Sequence, residues 1–364
     1  MPVRVAFDTT PLVGAPTGIG EFVGLAARAL DGRSDCELVR YVLSIRSRPP
    51  PGEVRWLPYP ASLAVRGWRF VDFPSGRRRL HGAQVVHGTN YFAPPTGLPT
   101  VLTIHDCSFV TRPELCRPVV RAFVPAVRRA IQHGAWVHTP STFVASQVRE
   151  LFHTDRVVAI HHGAPEGPGL PSRATVPADP DASPLVLSLA TLEPRKNLSR
   201  LVEAFGRLHD RLPAARLVLA GGAGSDEERI SDAIAALDPK AAQQVTLAGW
   251  VDRQRRFELL SEASVLAYPS LDEGFGIPML EAMVCEVPVV ASNAGAVPEV
   301  AGDAALLVDP HDADAIADAL MLAITDDALR SGLIERGNAR VASFSWTTTA
   351  ARLVEMYEQV RSSQ

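Results

Sequence analysis

Lysine is almost absent. Of 36 basic side chains in 364 residues, only Lys196 and Lys240 are lysines, so the positive charge is nearly all guanidinium, whose planar fork matches carboxylate and phosphate. Cysteine is sparse as well. Cys36, Cys107, Cys116 and Cys285 are scattered without a C-x-x-C pair, which argues against a disulfide framework or a cysteine zinc site and leaves buried free thiols. The ten histidines form no H-E-x-x-H or similar spacing. His161 and His162 adjoin, but in an extended chain they point to opposite faces, so no metal site is expected. No apolar run comes near the roughly 18 to 20 residues that cross a bilayer, and no charged-then-apolar leader follows Met1. The expectation is a soluble, cytoplasmic protein.

What is present is length enough for two domains, each with its own core, and two halves of opposite charge. The overall −4 divides into +7 over 1–168, from 19 arginines against 12 acids, and −11 over 169–364, from 17 basic against 28 acidic residues. Residues 40–82, from Arg40 to Gly82, hold nine arginines against Glu53 and Asp72, interleaved with Trp56, Trp68, Phe70 and Phe73. Arginine among interfacial aromatics suits peripheral contact with an anionic inner-membrane surface. A solvated arginine face is the plainer alternative. No nucleic-acid-binding motif accompanies the charge, so nucleic acid is not expected as a partner.

The apolar run 3–8 ends in Asp8 and reads as the first strand of a buried parallel sheet. A loop at 9–20 then carries Gly14, Gly18 and Gly20 ahead of an apolar-periodic helix at 21–30. Gly18-Ile19-Gly20 matches part of a dinucleotide fingerprint, but Gly24 falls one residue late and Gly18 comes ten residues after Asp8, so the fingerprint fails. What remains is a backbone suited to approach a substrate, or a tight loop-to-helix turn. Further strands are predicted at 37–43, 84–87, 100–105, 136–139 and 157–161, with helices at 113–133 and 142–152. This is the alternation of a doubly wound α/β sheet, whose ligands collect at the carboxyl ends of strands. His87, His105-Asp106 and Ser141 fall at those ends. A histidine held by an adjacent acid can donate to a sugar hydroxyl or steady developing charge, which singles out His105; a satisfied structural histidine is the other reading.

Residues 163–184 are rich in Pro, Gly and Ala without apolar periodicity and contain the linker. Strands predicted at 185–190, 217–220, 245–247, 264–268, 287–291 and 305–308 restart the pattern. The expected division is a first domain at 1–168, a linker at 169–184, a second domain at 185–345 and an amphipathic helix at 346–364. Three loops of the second domain carry chemistry. Residues 191–197 place Arg195 and Lys196 where a diphosphate can be clamped. Gly221, Gly222 and Gly224 suit close approach to a ligand. At 273–281, Glu273 and Glu281 flank Gly274-Phe275-Gly276-Ile277-Pro278, a helix start whose exposed N–H groups suit phosphate. The two acids suit ribose and hexose hydroxyls. An ordinary strand–loop–helix connection fits the same spacing. Gly249-Trp250-Val251 ends a strand where a nucleobase stacks or takes main-chain hydrogen bonds, unless Trp250 is plain packing. Asp179-Pro180-Asp181 and Asp312-Ala313-Asp314 match D-x-D formally and read as a turn and a cap.

Taken together, Thr191-Leu192-Glu193-Pro194-Arg195-Lys196-Asn197, the E-x7-E of Glu273 and Glu281, Gly249-Trp250-Val251 and Asn293-Ala294-Gly295-Ala296-Val297-Pro298-Glu299-Val300 resemble the retaining glycosyltransferases of family 4, among the group 1 glycosyl transferases. Thr17-Gly18-Ile19-Gly20, His87-Gly88-Thr89-Asn90 and Ile104-His105-Asp106 are similar to that family's acceptor-side loops, so the resemblance spans nearly the whole chain. It implies the GT-B fold, two doubly wound Rossmann-like α/β domains facing across a cleft, with the last helix crossing back onto the first. It also implies roles. Arg195 and Lys196 hold the donor diphosphate, Glu281 accepts from the ribose, and Glu273 meets hydroxyls of the transferred sugar. Main-chain N–H groups of Phe275, Gly276 and Ile277 approach sugar and phosphate, His105 reaches the sugar from the opposite domain, and Gly18, Ile19 and Gly20 border the acceptor. One departure stands out: many relatives carry an additional Arg where Ala190-Thr191 stands, which leaves the contact of Arg195 open.

The expected reaction is hexosyl transfer from a nucleotide diphosphate sugar to a hydroxyl of a glycan or lipid-linked acceptor, with retention. No cofactor is expected beyond that co-substrate, and no metal, since cations neutralise the diphosphate. The form of residues 192–197 is similar to mannosyl-transferring members and favours GDP-mannose over UDP-hexoses and dTDP-rhamnose. A non-catalytic sugar-nucleotide-binding subunit is the alternative.

Overall fold

The computed structural model describes residues 1–14, 18–45, 54–116, 118–166 and 183–363. The chain forms two compact units, Met1–Gly163 with Phe344–Gln364, and Ala164–Ser343.

The first unit runs through β1 (Val3–Asp8), α1 (Gly18–Asp31), β2 (Cys36–Leu43), β3 (Val54–Leu57), α2 (Ala61–Trp68), β4 (Val85–Gly88) and β5 (Thr100–Thr103). Three short helices, α3 (Ser108–Thr111), α4 (Pro118–Arg121) and α5 (Val124–Gln132), lead to β6 (Trp136–Thr139), α6 (Thr142–Phe152) and β7 (Val157–Ala159). The strands pair in parallel in the order β3-β2-β1-β4-β5-β6-β7. Because both faces of such a sheet are covered, its central strands are mostly apolar; in β1, Val3, Val5, Ala6 and Phe7 are fully buried.

The second unit contains β8 (Leu185–Leu189), α7 (Leu198–Arg211), β9 (Arg216–Ala220), α8 (Glu227–Ala235), α9 (Pro239–Gln243), β10 (Val245–Gly249) and α10 (Arg253–Glu262). It continues with β11 (Val265–Tyr268), α11 (Ile277–Val284), β12 (Val289–Ser292), α12 (Val297–Ala301), β13 (Leu306–Val308), α13 (Ala313–Thr325) and α14 (Asp327–Val341). Its parallel sheet has the order β10-β9-β8-β11-β12-β13. In each sheet the strand order reverses about the first strand, β1 or β8, which makes the carboxyl ends of β1 and β4, and of β8 and β11, the topological switch points where ligands gather.

The last helix, α15 (Trp346–Ser362), belongs to the first unit. Its Trp346, Leu353, Val354 and Tyr357 share one core cluster with Phe7, Phe22 and Val85. Gly163 admits Trp346, since a Cβ there would sit 2.4 Å from its ring.

Several expectations need correction. The helix expected at 113–133 is a 3-10 turn at Pro113–Leu115 followed by α4 and α5. Pro113, Pro118 and Pro125 explain the breaks, since each lacks an N–H and is tolerated only in a first helical turn. Gly18, Ile19 and Gly20 are not loop: α1 begins at Gly18, and the three residues form its first turn, with Ile19 packed against the core. β3 and α2, inside the arginine-rich stretch, were not expected. Thr17, Arg46, Arg48, Glu53 and Asp179-Pro180-Asp181, with most of the expected linker, lie outside the described residues.

Candidate active site

In the second unit the loops following β8 and β11 meet at the switch point. The first turns through Pro194–Lys196 as one 3-10 turn and ends on Asn197 in the left-handed region, φ 58°. The Asn197 side chain explains why that conformation is held: its amide donates to the carbonyls of Pro269, 3.0 Å, and Pro310, 2.7 Å. Leu271 N in turn donates to Arg195 O at 2.9 Å. The two loops are thereby fixed, and their charged side chains converge. Arg195 donates to Asp272 O at 2.6 Å and to Glu273 Oε2 at 2.8 Å. Lys196 Nζ donates to Glu273 Oε1 and lies 5.5 Å from the centre of the Tyr268 ring.

This triad is nearly dry. Side-chain exposure is 14% for Arg195, 13% for Lys196 and 8% for Glu273. Burial pushes the Glu273 carboxyl up, but the charges and hydrogen bonds of Arg195 and Lys196 outweigh it and hold the group at about 2. One carboxylate thus sits between two cations. The net charge left over is positive, in a low-dielectric place where it acts strongly on an incoming anion.

Glycine 295 holds the triad from behind, a role the motif at 293–300 did not disclose. Its φ is +64°, and a Cβ would stand 2.7 Å from Glu273 N; Ala296 N donates to Glu273 O at 2.9 Å. Gly276 caps α11 at φ 105°, with Pro278 in the first turn. Glu281, one turn in, is fully buried, its Oε1 3.0 Å from Arg256 of α10, a partner that spacing alone could not name. The glycine-rich loop after β9 turns out differently from the expectation. A Cβ on Gly221 would lie 1.8 Å from Ala190 O and on Gly224 1.9 Å from Leu192 O, so these glycines serve contact with the loop after β8; only Gly222 faces open space. β10 ends on Gly249 at φ 68° after a register shift. Trp250 is 51% exposed, which removes plain core packing as its role, while Val251 is half-buried.

In the first unit, four histidines gather at the ends of β4 to β7. Ile160 O can only accept, so His138 Nε2, 3.1 Å away, donates to it and leaves Nδ1 to accept from Thr103 Oγ1, 2.9 Å. Thr103 then accepts from His87 Nε2 at 2.7 Å, and His87 Nδ1 accepts from Tyr357 of α15 at 2.6 Å. The chain runs one way and requires neutral rings. Burial supplies that condition, pushing His138 down to about 3 and His87 and His162 well below their ordinary value.

His105 is tethered otherwise than expected. Its Nε2 donates to Thr89 O at 2.9 Å, whereas Asp106 accepts from Ser108 N and Oγ and from Tyr91. Asp106 therefore shapes the start of α3, and burial keeps His105 neutral, lowered from its usual value. With Nε2–H committed, Nδ1 is left as an acceptor. Asp8, at the end of β1, was not singled out as a site. It is buried, accepts from Thr10 N and Oγ1, and is pushed up by burial to about 6. Ser141 caps α6 by accepting from Val144 N at 3.2 Å.

The family described as "Glycosyl transferases group 1" matches residues 175–340. The O-antigen chain mannosyltransferase B of Escherichia coli is 31% identical over 295 residues, 75% of this chain and 74% of that protein. A phosphatidyl-myo-inositol mannosyltransferase of Mycolicibacterium smegmatis is 34% identical over 173 residues, 46% of this chain and 43% of that one. Among solved structures, sucrose-phosphate synthase from Thermosynechococcus elongatus superposes over all of both chains with a TM-score of 0.77 at 20% identity, a likeness of fold. Identity near a third over three quarters of both proteins, with the family match across the second unit, shows that this chain belongs to the group 1 glycosyl transferases and is a glycosyltransferase with the two-domain α/β GT-B fold.

Proposed function

We propose that the protein transfers mannose from GDP-mannose, with retention at the anomeric carbon, to a hydroxyl of a glycan or lipid-linked acceptor in cell-envelope polysaccharide or glycolipid synthesis, working in the cytoplasm at the inner face of the membrane. The observation that carries it is the buried triad in which Arg195 and Lys196 share Glu273. The mannosyltransferase names of the relatives support the sugar.

In this reading the bond from the anomeric carbon to the phosphate oxygen breaks and its electron pair leaves with the diphosphate. Arg195, Lys196 and the first N–H groups of α11 take up that charge, which is the form of stabilisation that rises most in the transition state. Glu273 is released from part of its ion pairing as the diphosphate competes for the cations, and meets hydroxyls of the sugar. The acceptor oxygen attacks from the same face and its proton passes to the departing phosphate oxygen. Glu281 is assigned to the ribose, Gly249, Trp250 and Val251 to the base, and His105 Nδ1 to a sugar hydroxyl. The diphosphate's charge is met by side chains, so transfer is expected to survive chelator.

Thermal unfolding against GDP, UDP, dTDP and NAD tests this without knowledge of the acceptor. GDP should raise Tm most, by an amount equivalent to about 3 kcal/mol at a hundredfold excess over Kd, and Lys196→Ala should abolish the rise. A rise with UDP or dTDP in place of GDP would move the donor; no rise with any nucleoside diphosphate would overturn the site.

A further inference from the structure

The arginine-rich stretch of the first unit resolves into two kinds of side chain. Trp68 is buried with Ala64 and Val65 in the core beneath α2, and Trp56 is half-buried, donating to Ser44 O. Arg40 pairs with Asp31, and Arg79 donates to Trp56 O. These belong to the protein's own packing, which corrects the expectation that both tryptophans are interfacial.

The opposite face of α2 and the turn after it look outward. Phe70 is 69% and Phe73 76% exposed, and Leu63 and Val71 are each more than half-exposed. No other described phenylalanine is exposed. The turn is built rather than loose. Phe70 N and Val71 N donate to Gly67 O at 2.9 and 3.1 Å, and Trp68 Nε1 donates to Pro74 O at 3.0 Å, so the chain folds back on α2 with its apolar side chains held in water. Arg66, Arg69, Arg77 and Arg78, near them in sequence, are all exposed and without an ion pair among the described residues, and the Arg69 guanidinium lies 4.3 Å from the centre of the Phe70 ring. Asp72, the one acid between 63 and 82, is occupied by Arg129 at 2.6 Å.

We propose that this face is a docking surface for an anionic lipid bilayer, with Leu63, Phe70, Val71 and Phe73 entering the headgroup and acyl boundary and Arg66, Arg69, Arg77 and Arg78 gripping lipid phosphates. Apolar side chains fixed in water, with exposed arginines free of ion pairs in the same stretch of chain, match an anionic interface in both respects. Arginine also keeps its charge at the phosphates while its stem lies against acyl chains. A single strand of nucleic acid would ask for aromatic platforms throughout, and Leu63 and Val71 offer none. Among the described residues no helix is long and apolar enough to cross a membrane. The surface deepens the peripheral membrane contact proposed above, and it is read by lipid binding alone, so it can fail while donor recognition stands.

The test is co-sedimentation of the full chain with phosphatidylcholine vesicles, with and without phosphatidylglycerol. Binding is expected on the anionic vesicles, to weaken with added salt, and to be at least roughly tenfold poorer on the neutral ones. Phe70→Ser with Phe73→Ser should cut the partition roughly a hundredfold, leaving Tm and the GDP-induced rise in Tm unchanged. Arg66→Glu with Arg69→Glu, which leaves the apolar side chains in place, should abolish the preference for anionic lipid. Absence of binding to anionic vesicles, unchanged binding by either double variant, or retention on an RNA oligonucleotide with vesicles left unbound would overturn the proposal.

Discussion

Glu273 makes the acid stability of the protein a property of its site. The carboxyl titrates near 4.5 in an unfolded chain and about 2 in the fold, so its contribution is fully present above pH 4.5 and is lost as pH falls toward 2. The shift corresponds to about 3 kcal/mol. Asp8 acts in the opposite sense: raised from 3.8 to about 6, it costs stability above pH 6, and the cost disappears as pH falls through that window toward 4. Glu273→Gln should flatten the acid limb of a urea-unfolding series between pH 4.5 and 2. It should also lower stability at pH 7 by about 3 kcal/mol, because two buried cations lose their counter-charge, and cut transfer at least roughly a hundredfold. Asp8→Asn should raise stability at pH 8 and leave it unchanged near pH 4. An unaltered acid limb in Glu273→Gln would mean that the triad does not control this titration.

At the scale of elements, much of the fold was legible. The strand at 3–8 falls where continuous apolar character placed it, as do those at 136–139 and 265–268, because a strand covered on both faces tolerates little else. The break-up of 113–133 was legible in its three prolines but was outweighed by helical periodicity. β3 and α2 were hidden because Arg55, Arg66 and Arg69 mask a two-sided pattern. The triad itself joins residues 77 and 78 positions apart; spacing supplied each half, and the family resemblance joined them. Gly295 stood in the motif at 293–300 without its role showing, because the backbone it packs against lies more than twenty residues away in the chain, and Arg256 carried no signal that one sequence can display. Two substitutions test what the elements hold in place. Gly295→Ala demands a left-handed backbone and a Cβ 2.7 Å from Glu273 N, so a loss of about 1–2 kcal/mol is expected together with weaker GDP binding. Tyr357→Phe removes the donor to the buried His87 Nδ1, with an expected cost of about 1–3 kcal/mol in denaturant unfolding and no change in nucleotide binding. A neutral Tyr357→Phe would mean that His87 Nδ1 does not depend on the Tyr357 hydroxyl for its hydrogen bond.

For the whole molecule, the first unit is assembled from both ends of the described chain, with Leu353, Val354 and Tyr357 of α15 inside its core. Deleting 344–364 should therefore leave that unit aggregation-prone while the second keeps a cooperative transition, checked by limited proteolysis and calorimetry of the truncated chain. The order of birth follows from the same arrangement. Domains emerging from the ribosome commonly fold N-terminal first, yet here residues 1–163 wait, one flank of their sheet unclad, until Ala164–Ser343 has been translated and α15 arrives to close it. The later-made unit, Ala164–Ser343, can thus complete its core before the earlier one does.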